Sequence, residues 1–408
     1  MDRWKTTCLV VGGGPAGMML GYLLARSGVQ TLLVEKHGDF FSDFRGDTVH
    51  PSTTELLAEL GFLDEFLQQV PHQNVDQLGM GFKGRSFDLI DFRHLPTACK
   101  YVVFMPQWDF LNFLADKANH YPTFRLEMNT EVTGLLWDGD RVSGVTAQTP
   151  GGPIEIRADV TVACDGRWSV IRDQSGLPLK EFPMPIDALW FRLPRGESAP
   201  ETLGYLGGGQ IILAINRGEY WQCGAIIDKD GFERVKAEGL AAFRSKVAAV
   251  APFLAASLGA LTDWDQVKLL SVRANRLQRW WLPGLLCIGD AAHAMSPVGG
   301  IGVNYAIADA VAAANTLAQP LLNGRVSDKD LRAVQKRRQT PMKVAQSLQG
   351  AQTANLARMS KTDPPLWMLR LLSRSAPVKR LLGRMMGLGF RREHIHTAEQ
   401  QRGLAGTK

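Results

Sequence analysis

The chain has 408 residues, 45% hydrophobic and 21% charged, which is room for two or more domains with substantial cores and ordinary for a soluble globular protein. The net charge of +6 is uneven, because residues 321–408 carry 18 Lys+Arg against 5 Asp+Glu while the first 320 carry 28 against 35. Basicity confined to the tail argues against nucleic acid as a partner of the main body. The eight histidines show no His-x-x-x-His spacing, so no metal is expected. The five cysteines (Cys8, Cys99, Cys164, Cys223, Cys287) are odd in number and form no Cys-x-x-Cys. Three lie in or at the end of apolar runs, which points to small buried side chains in a reducing compartment. The opening residues are polar apart from Met1 and Trp4, so no signal peptide is expected. Uncharged stretches such as 291–308 are broken by Pro, Gly, Asn and His, so no membrane span is expected either.

In chain order, an apolar strand over Cys8–Val11 runs into Gly12-x-Gly14-x-x-Gly17. MMLGYLLARSG follows with helical spacing, and QTLLVE then forms a second strand ending at Glu35. Gly12 permits a tight turn, Gly14 lets backbone approach a pyrophosphate, and Gly17 lets helix and strand pack closely. The diphosphate belongs at the positive helix N-terminus. Glu35 can accept hydrogen bonds from both ribose hydroxyls, which favours a free ribose and therefore FAD or NAD. The glycines alone do not choose between them.

FRGDTVHPSTTELL holds Arg45 and His50, with Ser52 or Thr53 as a cap for the helix after Pro51. Residues 71–99 are strand-like, and MPQWDFLNFLADKA opens a helix at Gln107, which could be a plain cap. NTEVTGLLWDG begins a strand pair at Val132, and RADVTVACDG is another strand ending in an acid, Asp165. Gly166 follows, and Arg172 stands about a turn into the next helix, where a salt bridge to Asp165 is the plain structural role. Residues 183–268 are strand-like, with a hairpin turn at Asn216–Gly218 just before Tyr220.

IGDAAHAMSPVGGIGVN at 288–304 then joins a buried strand (LLCI) to a helix from about Val303. An NAD enzyme needs nothing more at its pyrophosphate, but FAD continues into a ribityl chain and an isoalloxazine. Asp290 at the strand end can bind a ribityl hydroxyl. The glycine loop and the helix behind it can face the flavin pyrimidine, where negative charge develops on reduction. The stretch therefore selects FAD. For His293 as a catalytic base, no proton donor is placed within reach. From 328 the chain is helical and basic. PPLWMLRLLSRSAPVKRLLGRMMGLGF, broken by Pro377, sets Trp367, Leu371 and Leu372 against Arg370 and Arg374. A helix packed on the FAD domain is expected there, with peripheral membrane contact or a dimer face as alternatives.

Three of these stretches, VVGGGPAG at 10–17, ACDGRWSVIR at 163–172 and IGDAAHAMSPVGGIGVN at 288–304, resemble in order and spacing the motifs of the class A flavoprotein monooxygenases. These are aromatic hydroxylases related to p-hydroxybenzoate hydroxylase and to the ubiquinone-pathway hydroxylases, and the resemblance covers about residues 6–320. It implies a tightly, noncovalently bound FAD held by Gly12, Gly14, Pro15, Ala16, Gly17, Glu35, Lys36, Asp165, Gly166, Arg172, Gly289, Asp290, Pro297, Gly300, Gly302, Val303 and Asn304. Arg45 takes the place of a family arginine at FAD and the nicotinamide, Gln107 that of a polar residue at the ribityl and phosphate portion, and Val132 that of backbone at the adenine.

The implied fold is α/β (α+β overall). A discontinuous Rossmann-like FAD-binding domain (1–70, 100–180, 270–320) carries an inserted antiparallel-sheet substrate domain (71–99, 183–268) and a C-terminal basic helical segment (328–408). The implied reaction uses NADH or NADPH as transient reductant, and O₂ through a flavin C4a-hydroperoxide, to hydroxylate an aromatic, phenolic or quinone-like molecule. His50, Arg45 and Tyr220 are candidates to act on the substrate by region only. A flavin reductase or halogenase-like enzyme without oxygen insertion, or a non-catalytic flavin- and ligand-binding protein, are the alternatives; the halogenase string Trp-x-Trp-x-Ile-Pro does not occur. A cytoplasmic monomer or homodimer is expected, at most peripheral to the inner face of the membrane.

Overall fold

Buried on both faces, the apolar run Cys8–Val11 forms the end of the first strand, β1 (Asp2–Val11), in a computed structural model that describes residues 2–41, 48–195, 203–359 and 361–400. The strand begins six residues earlier than its apolar pattern suggests, because Asp2–Thr6 pair in parallel with Ile154–Ala158. Tertiary pairing overrides local polarity there. Helix α1 (Pro15–Arg26) starts with Pro at its first position and leads to β2 (Thr31–Val34). Next come α2 (Pro51–Glu59) and the hairpin β3 (Gln77–Phe82) and β4 (Arg85–Asp91). Helix α3 (Gln107–Asn119) and β5 (Phe124–Glu127) follow. Strands β6 (Glu131–Asp138), β7 (Arg141–Thr149) and β8 (Gly152–Ala163) form a meander that ends in the short helix α4 (Val170–Ser175).

The chain then runs through β9 (Ile186–Pro194), β10 (Gly204–Gly207), β11 (Gln210–Asn216) and β12 (Tyr220–Asp228), with the Asn216–Gly218 turn closing the β11–β12 hairpin. The strand-like reading of 183–268 fails beyond Asp228. There the alanine-rich chain folds as α5 (Phe232–Ala237) and α6 (Leu240–Val250), whose apolar side, with Phe243 and Val247, covers Leu189, Phe191, Ile212 and Trp221 on one face of the sheet. Strands β13 (Lys268–Leu270), β14 (Trp281–Leu282) and β15 (Leu285–Cys287) lead to the short helix α7 (Asp290–His293). Four long or amphipathic helices complete the chain: α8 (Ile301–Leu322), α9 (Asp328–Met359), α10 (Leu366–Arg374) and α11 (Ala376–Leu388).

Two large sheets result. The first has the order β14-β15-β8-β1-β2-β5, parallel except at its β14 edge, with β7 and β6 added through β8. Helices α1 and α8 cover it with Leu20, Leu23, Ile307 and Val311, all fully buried. The second has the order β13-β9-β12-β11-β10-β3-β4. It is mixed, not purely antiparallel, because β3 joins β10 in parallel. In the first sheet, β1, β2 and β8 end side by side, and Asp165 and Asp290 lie just beyond the ends of β8 and β15; in open parallel sheets ligands bind at this edge.

Candidate FAD and substrate site

The glycine loop is shaped by what surrounds it. Gly12 has φ +102, and a methyl group there would lie 2.6 Å from the Cys164 carbonyl oxygen, so no side chain is tolerated between the ends of β1 and β8. Gly14 is the reverse case: it caps α1, and an added methyl would meet nothing within 4 Å. That open space lies before the N-terminus of a helix with no acidic residue in its first turn and no side-chain cap, so its amides are available to an anion. Gly17 returns to close packing, since a methyl there would lie 1.9 Å from the Gly12 carbonyl oxygen. Gly17→Ala should therefore push α1 off the loop, cost about 1–3 kcal/mol of stability and release FAD. Gly14→Ala should leave the melting temperature of the apoprotein unchanged while still weakening FAD. Unaltered FAD binding in both variants would contradict this geometry.

Glu35 lies one residue past β2. Its Oε2 accepts from Gly13 N at 2.7 Å, and its Oε1 from His37 N at 3.0 Å. Thr130 N donates to the Glu35 carbonyl at 2.8 Å, which brings the start of β6, with buried Val132, beside the same loop. Lys36 is exposed. Gln107 is the first residue of α3 and makes no capping bond; next to it Trp108 stacks on Phe41 at 4.6 Å. Arg45 lies outside the described residues.

At the opposite side of the strand ends, Asp165 is half-buried, and its Oδ2 accepts from Ile171 N at 3.3 Å. Burial raises this carboxyl above its usual range, against the Ser169 and Ile171 hydrogen bonds. Arg172 does not bridge to Asp165: its Nε pairs with Asp173 at 3.0 Å and its Nη2 donates to the Arg167 carbonyl at 3.1 Å. Gly166 has φ +82 in the turn between them. Asp290, the first residue of α7 after Gly289, is about a third exposed, and its Oδ2 stands 3.4 Å from Arg167 Nη2. Arg167 was not singled out from the sequence although it lies within ACDGRWSVIR. Asp165 Oδ1, Arg167 Nε and Nη1, and Arg172 Nη1 are buried without a protein partner. A cluster of such atoms is costly unless a polar ligand completes it. A dinucleotide, with its many hydroxyl and phosphate oxygens, fits this donor and acceptor set.

Pro297 precedes a single 3-10 turn, and Gly300, with φ +61, caps α8; a methyl on Gly300 would overlap Thr48 Oγ1 at 2.2 Å. The helix begins at Ile301, two residues earlier than its spacing indicates, so Gly302 and Val303 lie in its first turn, where amides have no partner within the helix. Asn304 differs from expectation. Its Oδ1 accepts from His50 N (2.9 Å) and Thr53 Oγ1 (2.7 Å), and its Nδ2 donates to the Gly300 and Thr48 carbonyls. That side chain is saturated by protein and positions the loop, leaving no donor for a ligand. The same bonds correct the cap assigned to α2. His50 is its N-cap residue, Pro51 takes the first position, and neither Ser52 nor Thr53 caps it.

His50 is fully buried with Nδ1 2.9 Å from the Met386 carbonyl, and burial pushes its imidazole down to about 4. It is a neutral positioning group and a weak base at pH 7. His293 is buried: its Nε2 pairs with Asp309 Oδ2, whose other oxygen accepts from Arg338 Nε at 2.8 Å. Tyr220 starts β12 with the Arg192 guanidinium 5.0 Å from its ring centre.

On the face of the second sheet opposite α6, Trp190 and the neighbouring Val298 border one apolar cluster that includes Ala188, Ile211 and Ile226. Trp190 Nε1 and Gln222 Nε2 on this face are buried donors with no protein partner, and neither was read from the sequence. Strand periodicity could have shown that they share a face, but not that they lack acceptors. A cleft of about 560 Å³, a size suited to a small organic ligand, is lined by Asn74, Asp76, Phe104, Ile215, Asn216 and Trp221 among others; Trp190 and Gln222 are not in its lining.

Comparison with known proteins gives the family and the fold. The family described as FAD binding domain matches residues 5–347. The chain is 31% identical over 389 residues to 6-methylpretetramide 4-monooxygenase of Streptomyces rimosus, covering 94% of this chain and 93% of that protein. It is 29% identical to rifampicin monooxygenase of Streptomyces venezuelae over 74% of this chain, spanning 62% of that protein. In three dimensions it is similar to PqsL of Pseudomonas aeruginosa in complex with 2-aminobenzoylacetate (TM-score 0.75, 22% identity, 87% of this chain and 97% of that one). It is also similar to p-nitrophenol 4-monooxygenase PnpA of Pseudomonas putida (TM-score 0.76, 20% identity, 96% of this chain and 100% of that one). With the dinucleotide loop, the strand-end cluster and the glycine-capped helix on one sheet edge, the chain belongs to the class A FAD-dependent aromatic hydroxylases.

Proposed function

We propose that the protein takes NADH or NADPH as reductant and O₂ as oxidant to hydroxylate an aromatic, phenolic or quinone-like molecule. The observation that carries this reading is the cluster of unpartnered buried polar atoms at Asp165, Arg167 and Arg172, beside the Asp290 carboxylate and the free amides of α1. In this reading the α1 amides hold the pyrophosphate and Glu35 the adenosine ribose. Asp290 and Arg167 bind the ribityl chain. The first-turn amides of α8, at the positive end of a 22-residue helix, stabilise the negative charge of a reduced flavin ring. Bound FAD supplies hydride acceptance and oxygen activation; the protein supplies position and water exclusion. Trp190 Nε1 and Gln222 Nε2 donate to an oxygen of the substrate, whose rings lie on the apolar sheet face. The named substrates of the relatives, a pretetramide and rifampicin, support a large aromatic substrate.

The test is a screen of phenols, quinones and fused-ring aromatics for stimulated NAD(P)H oxidation, with mass spectrometry of the product. A gain of one oxygen atom is expected. A gain of two hydrogens would make the protein a reductase, and no stimulation by any compound of these classes would leave a flavin- and ligand-binding protein.

A further inference from the structure

The C-terminal helices α10 and α11 have one face against the protein and one face without a partner. The inner face is fixed. Leu369 is buried against the second sheet, and a methyl added at Gly383 would lie 1.9 Å from the Asp91 carbonyl oxygen. At Gly387 it would lie 2.7 Å from Leu95 Cδ1. Helix α11 therefore lies directly on the chain at Asp91 and Leu95, while Leu369 anchors α10. The outer face of α10 shows Trp367, Arg370, Leu371 and Arg374, which recur at helical spacing as one stripe; α11 continues it with Arg380, Leu381 and Arg384. Trp367 is 67% exposed, Leu371 63% and Leu381 57%, values that an isolated helix packed on its own domain does not require. Between residues 364 and 392 there are seven basic residues and no acidic one.

We propose that this outer face docks the protein on an anionic phospholipid surface. Its Trp and Leu side chains enter the headgroup–acyl boundary, and its arginines pair with lipid phosphates. A stripe that alternates large apolar side chains with cations is what such a surface selects. No described helix is long and apolar enough to cross a membrane, so contact is lateral. A second copy of the chain suits the face poorly: two-fold pairing would set the four stripe arginines of one copy against the same four of the other.

The full-length protein is sedimented with phosphatidylcholine vesicles and with mixed phosphatidylcholine–phosphatidylglycerol vesicles. Binding is expected to the mixed vesicles alone. It should fall steeply as salt is raised from about 0.01 to about 1 M, which shortens the screening length from about 30 to about 3 Å. Each cation removed should weaken partition about fivefold, so Arg370→Gln with Arg374→Gln should lower it about 25-fold at an unchanged melting temperature. Trp367→Phe should abolish a blue shift of tryptophan emission that the intact protein shows on binding. Absence of binding to the mixed vesicles, or equal binding to both kinds, overturns the proposal. So does a dimer in sedimentation velocity that Leu371→Asp dissolves, because the face would then belong to a second copy.

Discussion

Asp309→Ala should cost about 3–5 kcal/mol of stability, enough to unfold a domain of ordinary stability at growth temperature. The carboxylate is fully buried in α8 and serves three partners: His293 Nε2, Arg338 Nε at 2.8 Å, and the Gly289 amide at 3.2 Å. Arg338 is buried too, and its Nη1 reaches Glu393 at 3.1 Å. Removing the central anion leaves Arg338 Nε and His293 Nε2 without their acceptor in the core, and Glu393 as the carboxylate still paired with Arg338. Asp309→Asn, which keeps the volume and an acceptor, should fall between wild type and alanine. Urea unfolding of the apoproteins separates this loss from any loss of cofactor.

The same group predicts a pH dependence. Burial favours the neutral acid, but attraction and hydrogen bonds from His293 and Arg338 outweigh it and hold the Asp309 carboxyl below its usual range. A carboxyl depressed by folding adds stability that is fully present above its unfolded value, about 3.9, and lost as pH falls through the lower folded value. The stability gap between wild type and Asp309→Asn should hold from neutral pH down to the region of the unfolded value and narrow only below it. A gap that already closes near pH 6 would show that the carboxylate is not the source of the stability.

Asp290→Ala should weaken FAD about ten- to hundredfold, the equivalent of a charge-assisted hydrogen bond worth about 1.5–3 kcal/mol. Its apoprotein should melt nearly like wild type, because the contact with Arg167 is long, 3.4 Å, and a third exposed. His293→Ala should behave in the opposite way, with a lower melting temperature and FAD affinity changed only a few-fold, since its ring lies behind the loop against Asp309 and Trp280. Fluorescence titration of the apoproteins with FAD measures both. Equal affinities in the two variants would remove the ribityl role from Asp290.

What could be read in advance was local. The β1–α1–β2 unit, the polar turn after LLCI and the β11–β12 hairpin each announce themselves within about 30 residues, through periodicity and turn residues. What could not be read depends on partners distant in sequence. Asp2–Thr6 look like a polar lead-in and become strand because β8 lies alongside. Arg338 sits in a KRR run that reads as solvated surface, yet it is buried because Asp309, 29 residues earlier, faces it from α8. A signal for that pair did exist: a lone carboxylate in the alanine-rich IADAVAAANTLA must find a cation if the helix is buried. Asn304 reads as a ligand contact but is engaged by the 48–53 segment, because a primary amide satisfies several backbone groups at once.

The strand order of the first sheet bears on how the protein is made in the cell. Strand β1 leaves the ribosome before β2 and β8 and ends at the centre, between them. Its neighbour β8 emerges only about 150 residues later, roughly 8 to 30 seconds at translation speeds of about 5–20 residues per second. Through that interval an apolar strand, Cys8–Val11, presents an unpaired edge, and the closing contacts arrive later still: Glu393 on Arg338 and the Gln400 amide on the Arg26 carbonyl. Nascent chains therefore pass through a prolonged sticky stage. Recovery of folded enzyme should respond to growth temperature and holdase chaperones more strongly than to the stability of the finished molecule.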